Sequence, residues 1–439
     1  MMGAGMSGVR INTAYGNISQ YEQIVESVRE IGEIPIIVDI KGPEIRLKTK
    51  KRTVYEGEIF DAGFKGQETS FNWDFLDKMA AGDFVLIDNG KIRTQVMEKT
   101  NEVLRLKVIS GGEIADGKGV NVLNKSLSVP TLSSKDKEII HFAEKFDIDY
   151  VALSFTRNAQ DVGNLRSEAR DYEGAVIAKI ENREGIDAFE QILEVSDGIM
   201  VARGDMGVEI EPEKVPLVQK SMIRSCNQKG KLVITATEML ESMIKQPTPT
   251  RAEVSDVANA ILDGTDATML SGETAVGKYP VESVAMMSRI AAEVEKAAQN
   301  RVEEEGFVNI SDAVSKAILR LCRIMPVDKV VTLTRSGYTA RMIARFRLSQ
   351  PVVAVTQDDR VKRQLELVFG VYPVKIEYRE HKDRIRHVAD SLLSMNLIND
   401  EDIVLFTAAS RTLAKHASNL IEIHKIEELR NQPENACIM

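Results

Sequence analysis

The stretch GAVIAKIENREG, residues 174–185, joins an apolar strand to a group of charged and polar residues. After its first glycine come small and branched apolar residues, the composition of a strand that is covered on both faces. Lys179, Glu181 and Asn182 then follow. A cation and an anion buried here would destabilise the fold unless partners compensate them. We therefore expect these side chains to face a polar pocket beyond the end of the strand.

Apolar runs of this kind recur along the chain, and segments of helical length and period separate them. The runs are GVRIN (8–12), IPIIVDI (34–40), YVALSF (150–155), AVIAKIE (175–181), GIMVAR (198–203), KLVITAT (231–237) and DATMLS (266–271). The intervening segments include SQYEQIVESVREIG, REGIDAFEQILEVSDG and TRAEVSDVANAILDG. In the last of these, Thr250 and Glu253 have the spacing of a capping box. This alternation predicts a parallel sheet built from βα units.

The polar residues of these runs collect at the carboxyl-terminal ends. They are Arg10 and Asn12, Asp39 and Lys41, Ser154 and Arg157, Lys179 and Glu181, Arg203 and Asp205, Thr237, and Ser271. In a TIM (β/α)8 barrel the carboxyl ends of the strands build the active site, so these side chains would converge on one pocket. Any one of them alone would also fit an ordinary solvated strand end. Their shared position predicts an α/β fold of the TIM barrel class with a catalytic pocket at this face.

A barrel of this class needs one strand more than the seven runs supply. The opening MMGAGM reads as the end of a helix that breaks at Gly3 and Gly5, which would place the first strand before Met1. A shortened sequence or a misplaced start codon would explain this. We expect the barrel to comprise residues 1–46 and 129–300.

Between these two parts, residues 47–128 lose the helical pattern and show alternating strands such as DFVLIDNGKIRTQV and EVLRLKVISGGEI. Short strands with Gly and Asn turns predict a small inserted β-barrel domain. Because this domain is inserted at the catalytic face, we expect it to act as a lid that excludes water from the reaction.

Residues 301–439 show a new alternation of strands and helices, which predicts a C-terminal α/β domain. Its strands are DKVVTLT, QPVVAVT, VYPVKI, DIVLFTA and NLIEIHKI, and its helical segments include RTLAKHASN. In TRSGYTARMIARF, a strand-to-helix turn carries Thr334, Ser336, Gly337 and Thr339. Free N–H groups and the dipole of a helix start favour an anion there. The turn is either a phosphate effector site or a simple helix cap.

Composition excludes several classes of protein. The chain has 439 residues, more than one hydrophobic core usually fills, and a formal net charge of −9. It lacks the basic excess of a nucleic-acid binder, the apolar run of a membrane span and the pattern of a signal peptide. Cys226, Cys322 and Cys437 match no zinc spacing and read as reduced packing thiols. We expect a cytoplasmic protein without nucleic-acid or membrane partners.

The strand-end residues indicate electrostatic chemistry. Glu181 and Asp205 would end consecutive strands, and a carboxylate pair of this kind suits Mg²⁺ or Mn²⁺. All five histidines lie outside the strand ends, which disfavours zinc and nucleophile–histidine chemistry. Lys179 and Arg10 supply positive charge, and backbone N–H groups of the turn ARGDMG could hold a carboxylate. The pocket suits an anion that carries both phosphate and carboxylate groups.

Long blocks around these residues resemble the pyruvate kinase family, from the first strand through most of the third domain. The blocks are VIAKIENREGI, SDGIMVARGDMGVEI, VITATEMLESMI, PTPTRAEVSDVANAILDGTDATMLSGETAVGKYP, DIKGPEIR and LIDNG. The resemblance implies the glycolytic transfer of a phosphoryl group from phosphoenolpyruvate to ADP, with pyruvate and ATP as products. It also implies a homotetramer.

This resemblance gives the charged strand-end residues expected roles. Arg10 would grip the phosphate, and Lys179 would stabilise the migrating phosphoryl group and the enolate. Glu181 and Asp205 would hold Mg²⁺. These roles agree with the chemistry of phosphoryl transfer, which needs spread positive charge rather than covalent help.

The resemblance also implies which residues contact the carboxylate and the methylene group of the substrate. Backbone groups of Gly204 and Asp205 would bind the pyruvate carboxylate. Thr237, with Ser271 near it, would lie where the enolate methylene is protonated, through a water molecule.

Further family positions concern the nucleotide. Arg46 and Lys118 match residues that contact nucleotide phosphates, and Asn12 belongs to the same set. Asp88 would lie on the lid near the substrate.

The family also binds K⁺, and the resemblance implies a site made of Asn12, Asp39 and the carbonyl of Ile40. The usual RLNFSHG reads RINTAYG here, so Ala14 supplies no hydroxyl ligand. In the same stretch Tyr15 replaces a histidine that helps to bind the nucleotide. Because Ala14 lacks this ligand, the sequence leaves the dependence of activity on K⁺ open.

Two alternatives remain open at this point. A Mg²⁺-dependent aldolase or lyase acting on pyruvate enolate would also pair Glu and Asp beside a pyruvate carboxylate, although it would not need the lid. A truncated, non-catalytic paralogue could act as an assembly partner, although such paralogues tend to lose the lysine or a metal carboxylate.

Overall fold

The computed structural model of the chain describes residues 1–42, 45–64, 66–88, 90–122, 125, 127, 129–296, 309–378, 383–409 and 418–431. Within these ranges, no helix is long and apolar enough to cross a membrane. The predicted domain boundaries remain predictions, but the order of sheets along the chain follows the predicted order of domains.

The chain begins with a 3₁₀ turn, Met2–Ala4, which ends at the left-handed Gly5, where the sequence predicted the end of a helix. The first elements are β1 (Val9–Asn12), α1 (Ile18–Ile31) and β2 (Ile36–Ile40). Asn17 caps helix α1, and its side chain accepts from the N–H of Gln20 in a capping box. All five residues of β2 are buried, as expected for a strand covered on both faces.

The inserted segment is built almost entirely of strands. They are β3 (Leu47–Lys48), β4 (Arg52–Val54), β5 (Ile59–Gly63), β6 (Ser70–Phe71), β7 (Phe84–Ile87), β8 (Ile92–Lys99), β9 (Val103–Ser110), β10 (Gly112–Ile114) and β11 (Val120–Val122). Seven of them form one sheet in the order β11-β7-β8-β9-β5-β6-β3, and β10 pairs with β4. An antiparallel bridge between Arg46 and Gly119 joins the two ends of the sheet. The predicted small β-barrel is confirmed.

After the insertion, the βα alternation resumes. Its elements are α2 (Ser134–Lys145), β12 (Tyr150–Leu153), α3 (Ala159–Glu168), β13 (Ala175–Ile180), α4 (Arg183–Asp187), α5 (Phe189–Val195), β14 (Gly198–Ala202), α6 (Arg203–Glu209), α7 (Val215–Lys229), β15 (Leu232–Ala236), α8 (Arg251–Asp263), β16 (Ala267–Met269), α9 (Gly272–Ala275) and α10 (Pro280–Glu295). The predicted capping box at Thr250 starts α8. The prediction of a single helix for REGIDAFEQILEVSDG is wrong, because the segment forms two helices, α4 and α5, that are separated at Ala188.

These strands form one parallel sheet in the order β1-β2-β12-β13-β14-β15-β16, which contains all seven predicted strands. The barrel class of the fold is thereby confirmed. In the described part of the chain, β1 and β16 lie at the two ends of this sheet.

Aspartates at the amino-terminal ends of the strands fix the register of the sheet. The side chains of Asp149, Asp197 and Asp266 accept from backbone N–H groups of the preceding strands at 2.8 to 2.9 Å. A one-residue slip would break these bonds and turn the apolar side chains to the wrong face. The amino-terminal face is therefore stabilising, which leaves the carboxyl-terminal face for chemistry.

The C-terminal part forms a separate α/β unit. Its elements are α11 (Ile310–Ile324), β17 (Lys329–Leu333), α12 (Tyr338–Ala344), β18 (Val352–Thr356), α13 (Asp359–Leu365), β19 (Val371–Lys375), α14 (Arg384–Ser394), β20 (Ile403–Ala408), β21 (Leu420–Lys425) and α15 (Ile426–Asn431). Its sheet has the order β19-β18-β17-β20-β21, with β21 antiparallel. All five predicted strands are present, while most of the predicted helical segment RTLAKHASN lies outside the described residues.

Arginines of this unit reach the amino-terminal ends of the barrel strands. Arg363 Nε donates to Asp149 at 2.6 Å, and Arg347 Nη1 donates to Asp266 at 2.7 Å. The C-terminal unit thus packs on the face opposite the predicted catalytic pocket.

Candidate active site

Asp39, near the end of β2, is a buried carboxylate surrounded by donors. Its oxygens accept from Arg10 Nε at 2.9 Å and from Lys179 Nζ at 3.0 and 3.1 Å. Ser154 Oγ donates to the same carboxylate at 3.0 Å. Burial by itself would raise the pKa of Asp39, but Lys179 and Arg10 outweigh it and hold the pKa below its usual value. Four neighbouring strands thus bring residues at their ends together around one anion.

Lys179 lies in β13, and only 7% of the residue is exposed. Besides Asp39, its Nζ contacts Ser154 Oγ at 2.7 Å and Glu181 Oε1 at 3.0 Å. Burial alone would lower the pKa of Lys179, but Asp39 and Glu181 reverse the effect and raise it. The side chain is therefore a fixed and fully charged cation at neutral pH.

Glu181 follows β13 and is buried, and its Oε2 accepts from the backbone N–H of Phe155 at 2.7 Å. Burial raises the pKa of Glu181; the charge of Lys179 lowers it, and the nearby carboxylate of Asp205 raises it again. The net shift is upward. Asp205 itself lies in the first turn of α6. Two carboxylates whose charges repel each other therefore lie at the barrel mouth.

This pair fits a divalent cation. An ion of charge +2 would neutralise the repulsion between the carboxylates of Glu181 and Asp205. Mg²⁺ binds through one or two carboxylates and keeps its other positions for water and substrate oxygens. In the ranges that the structure covers, no group of three or more His, Cys, Asp or Glu side chains is arranged to hold a metal.

Thr237 follows β15 and adopts the left-handed conformation, with φ of 66°. Its Oγ1 accepts from the N–H of Gly204 at 2.8 Å and donates to the carbonyl of Ala236 at 2.6 Å. The start of α6 and the end of β15 therefore meet at this hydroxyl.

Ser271 directly precedes α9 in the neighbouring loop. Its N–H donates to Glu273 Oε2 at 2.8 Å, and Glu273 Oε1 accepts from the N–H of Leu240 at 3.0 Å. Glu273 is buried and ties the loop after β15 to the loop after β16. The sequence prediction missed this residue, because it comes two positions after the strand-end serine.

The predicted lid residues Arg46, Lys118 and Asp88 lie together at one end of the small barrel. Lys118 Nζ pairs with Asp88 Oδ2 at 2.9 Å, and Arg46 Nη1 donates to the carbonyl of Gly117 at 2.6 Å. Burial alone would raise the pKa of Asp88, but Lys118 and Lys91 hold it below its usual value. The lid thus presents basic residues around one carboxylate.

A cavity of about 430 Å³ lies between the lid and the barrel mouth. On the lid side it is lined by Ile45, which precedes Arg46, and by residues 120–122. On the barrel side its lining includes Ser154 and Asp205. This end of the lid therefore faces the strand-end residues.

Arg157 holds the connection through which the chain returns from the lid. Its Nη1 donates to the carbonyls of Leu127 at 3.1 Å and Val129 at 2.9 Å. The rest of its guanidinium binds Asp161. The sequence indicated Arg157 only as a polar residue at a strand end. Asp161, four positions later, could have indicated that the guanidinium group of Arg157 is held by a carboxylate.

Glu209→Gln is expected to raise the melting temperature at pH 8, without Mg²⁺, by roughly 1–3 °C. Glu209 lines the cavity, and its Oε1 accepts from the lid residue Asn121 at 2.9 Å. Burial raises the pKa of Glu209, and the charges of Glu184 and Asp205 add to this. The ionised carboxylate therefore destabilises the fold above its folded pKa. Glutamine removes this charge and keeps the acceptor for Asn121.

The gain from Glu209→Gln should shrink as the pH falls through the raised folded pKa towards the ordinary glutamate value, because wild-type Glu209 then becomes protonated. Thermal unfolding between pH 5 and pH 8 measures this. Glu211→Gln, an exposed change two positions later, is the matched control and should give no gain. A gain that does not change with pH would contradict the prediction.

The predicted potassium ligands are neighbours. Asn12 and Asp39 are paired across β1 and β2, and Ile40 comes next. Asn12 Oδ1 accepts from the N–H of Ala14 at 3.1 Å, and the carbonyl of Ile40 accepts from the N–H of Ser154 at 3.2 Å. The side chain of Ala14 offers no oxygen, so these residues fit the family's potassium site only in part.

The predicted effector turn lies between β17 and α12. Gly337 precedes α12 with φ of 73°, and the hydroxyl groups of Thr339 and Ser418 lie 2.9 Å apart. Thr334 is buried, and Ser336 is exposed. Residues 410–417 lie outside the described part of the chain. An effector role for Thr334, Ser336, Gly337 and Thr339 stays a prediction.

The chain was compared with known proteins. Residues 1–284 match the family model described as pyruvate kinase, barrel domain, and residues 312–424 match pyruvate kinase, alpha/beta domain. The pyruvate kinase of Sporosarcina psychrophila is 39% identical over 97% of this chain and 77% of its own length. That of Geobacillus stearothermophilus is 38% identical over 98% of this chain and 77% of its own length. The crystal structure of a pyruvate kinase from Cryptosporidium parvum aligns with a TM-score of 0.87 and 33% identity, over 96% of this chain and 91% of that one.

Proposed function

The chain belongs to the pyruvate kinase family, and we propose that its strand-end residues transfer the phosphoryl group of phosphoenolpyruvate to ADP, giving pyruvate and ATP. The observation that carries this proposal is the buried ammonium group of Lys179, held by Asp39 and Glu181. Arg10 binds the same Asp39 carboxylate. Phosphoryl transfer needs positive charge at fixed positions, and this lysine–arginine pair supplies it.

In the proposed reaction, the bond between phosphorus and the enol oxygen breaks as an oxygen of the ADP β-phosphate bonds to phosphorus. The electron pair stays on the enolate oxygen. Lys179 stabilises the charge on the moving phosphoryl group and on this oxygen, while Arg10 orients the phosphate. Neither residue has to give up a proton, which suits the raised pKa of Lys179.

We assign Glu181 and Asp205 as the ligands of Mg²⁺, with Mn²⁺ as a substitute. When bound, the ion adds positive charge and orients substrate oxygens. The negative charge of Asp205, which helps to raise the pKa of Glu181, supports this assignment.

The substrate carboxylate is proposed to bind the backbone N–H groups of Gly204 and Asp205 at the start of α6. The hydroxyl group of Thr237, 2.8 Å from the nitrogen of Gly204, then lies beside the substrate. We propose that it passes a proton through water to the enolate methylene. Ser271 lies near Thr237 in the adjacent loop, whose position is fixed by the hydrogen bonds of Glu273.

The lid residues Arg46 and Lys118, together with Asn12, are proposed to bind the nucleotide phosphates. The lid would also exclude water, which otherwise intercepts the phosphoryl group. Asp88 orients Lys118 through an ion pair, in which Oδ2 lies 2.9 Å from Nζ.

Potassium, a homotetramer and a cytoplasmic location complete the proposal. K⁺ would bind Asn12, Asp39 and the carbonyl of Ile40, and activity in K⁺ compared with Na⁺ tests this. The molar mass in solution, measured by light scattering, tests the tetramer.

The cytoplasmic location is supported by Cys226 and Cys322, which are buried and form no disulfide, as is usual in a reducing compartment.

The two other functions considered for this sequence have less support. Relatives that are 38–39% identical over nearly the whole chain are named pyruvate kinases, which decides against the aldolase or lyase. A non-catalytic assembly partner would have no need of Lys179, Glu181 and Asp205, all of which are present.

A coupled assay tests the proposed function. Purified chain, phosphoenolpyruvate, ADP and Mg²⁺ should yield equal amounts of ATP and pyruvate, and omission of any one component should stop both. Aldol cleavage without ATP would favour the lyase. A folded protein that yields neither product would favour the assembly partner.

A further inference from the structure

Arg203, the first residue of α6, is a buried arginine that the reaction described above does not use; its side chain is 7% exposed. Its Nη2 donates to the backbone carbonyls of Thr237 at 2.7 Å and Glu238 at 3.0 Å. Its Nη1 pairs with Asp256 of α8 at 2.6 Å. One guanidinium group therefore joins α8 to the loop that carries the proposed proton donor.

The loop that Arg203 holds has an unfavourable backbone. Thr237 and Glu238 are consecutive residues with φ of 66° and 53°. Side chains with a Cβ, and β-branched ones above all, rarely adopt the left-handed conformation unless their surroundings hold them there. Here the carbonyl groups of both residues point to the same cation.

This conformation determines where the threonine hydroxyl lies. With Thr237 left-handed, its Oγ1 reaches both the N–H of Gly204 at 2.8 Å and the carbonyl of Ala236 at 2.6 Å. A return of φ at Thr237 to negative values would turn its Cβ and its carbonyl together, which would move the hydroxyl group away from Gly204 and the carbonyl away from Arg203. The side chain that resists this rotation is that of Arg203.

We propose that Arg203 is a positioning residue that holds the carbonyls of Thr237 and Glu238, so that the Thr237 hydroxyl stays where the enolate is protonated. Asp256 keeps the guanidinium turned towards the loop. The inference rests on the role proposed above for Thr237. A planar guanidinium reaches the two carbonyls and the carboxylate from different nitrogen atoms of a rigid fork, whereas the ammonium group of lysine is a compact charge on a shorter side chain that cannot reproduce this spacing.

The test is Arg203→Lys, with exchange of the pyruvate methyl protons in D₂O measured by NMR alongside kcat, KM and melting temperature. We expect methyl exchange and kcat to fall at least tenfold, while KM for phosphoenolpyruvate changes less than threefold. A merely structural role would lower stability without separating kcat from KM.

Arg347→Lys is the matched control. The Arg347 side chain is 9% exposed, close to the 7% of Arg203. Its guanidinium likewise binds a backbone carbonyl, that of Gly264, and an aspartate, Asp266, but at the opposite end of the barrel. Its substitution should lower the melting temperature to a similar extent and leave methyl exchange within twofold of wild type.

Two more variants complete the design. Thr237→Ala should slow methyl exchange at least as much as Arg203→Lys; unaltered exchange would refute both the role of Thr237 and this inference. Slow exchange in Thr237→Ala with normal exchange in Arg203→Lys would overturn the inference alone. If Arg203→Lys does not fold, Asp256→Asn replaces it, with an expected loss of threefold or more; normal exchange in that variant would also overturn the inference.

Discussion

Lys179→Met is expected to lower kcat by about 10²–10³-fold while the affinity for phosphoenolpyruvate changes little. Negative charge develops on the transferred group and on the enolate oxygen during the reaction, so the ammonium group contributes more to the transition state than to binding. Arg10 remains to bind the substrate phosphate. Stopped-flow turnover and equilibrium binding of phosphoenolpyruvate measure the two quantities separately.

This substitution also leaves two buried carboxylates without their shared cation. Asp39 keeps Arg10, and Glu181 keeps the N–H of Phe155, so we expect a folded protein with a lowered melting temperature. Lys231→Met is the matched control, since Lys231 is half-buried at the amino-terminal end of the barrel and donates to the carbonyl of Ser196 at 2.6 Å. It should leave kcat unchanged. An unchanged kcat in folded Lys179→Met would refute the role of Lys179.

Asp205→Asn is expected to lower kcat by about 10²-fold or more and to raise the Mg²⁺ concentration needed for half-maximal rate at least about tenfold. Asparagine keeps the shape and one oxygen of the side chain but removes the charge that a divalent ion requires. The dependence of rate on Mg²⁺ concentration measures both effects.

Glu209→Gln provides the control for Asp205→Asn, because it removes a carboxylate four positions later on the same helix. It should leave the Mg²⁺ requirement as in wild type. If both variants change that requirement equally, the general negative charge of α6 would be responsible and Asp205 would not be a specific ligand.

The sequence predicted the barrel because its strands are short, mostly apolar and separated by segments of helical period. Short apolar runs such as IPIIVDI are typical of strands covered on both faces, and all five residues of β2 are indeed buried. The convergence of strand-end residues followed from the topology of the class rather than from any single residue. The topology of the class thus predicted that Arg10, Asp39 and Lys179 lie together, and their side chains do share hydrogen bonds.

Other features could not be predicted from local pattern. The break between α4 and α5 depends on packing, since the periodicity of REGIDAFEQILEVSDG continues through Ala188. The left-handed conformation of Thr237 and Glu238 has no signal in residue type. The partners of Arg203 lie on two other elements, so its role needed the three-dimensional arrangement.

The central claim is that Glu181 and Asp205 share one divalent ion beside Lys179. Titration of Mn²⁺ followed by electron paramagnetic resonance tests this directly in the wild-type chain and in Glu181→Gln and Asp205→Asn. The account predicts one tight Mn²⁺ site in the wild type that weakens at least about tenfold in either variant alone. Wild-type Mn²⁺ affinity in one or both folded variants would contradict it.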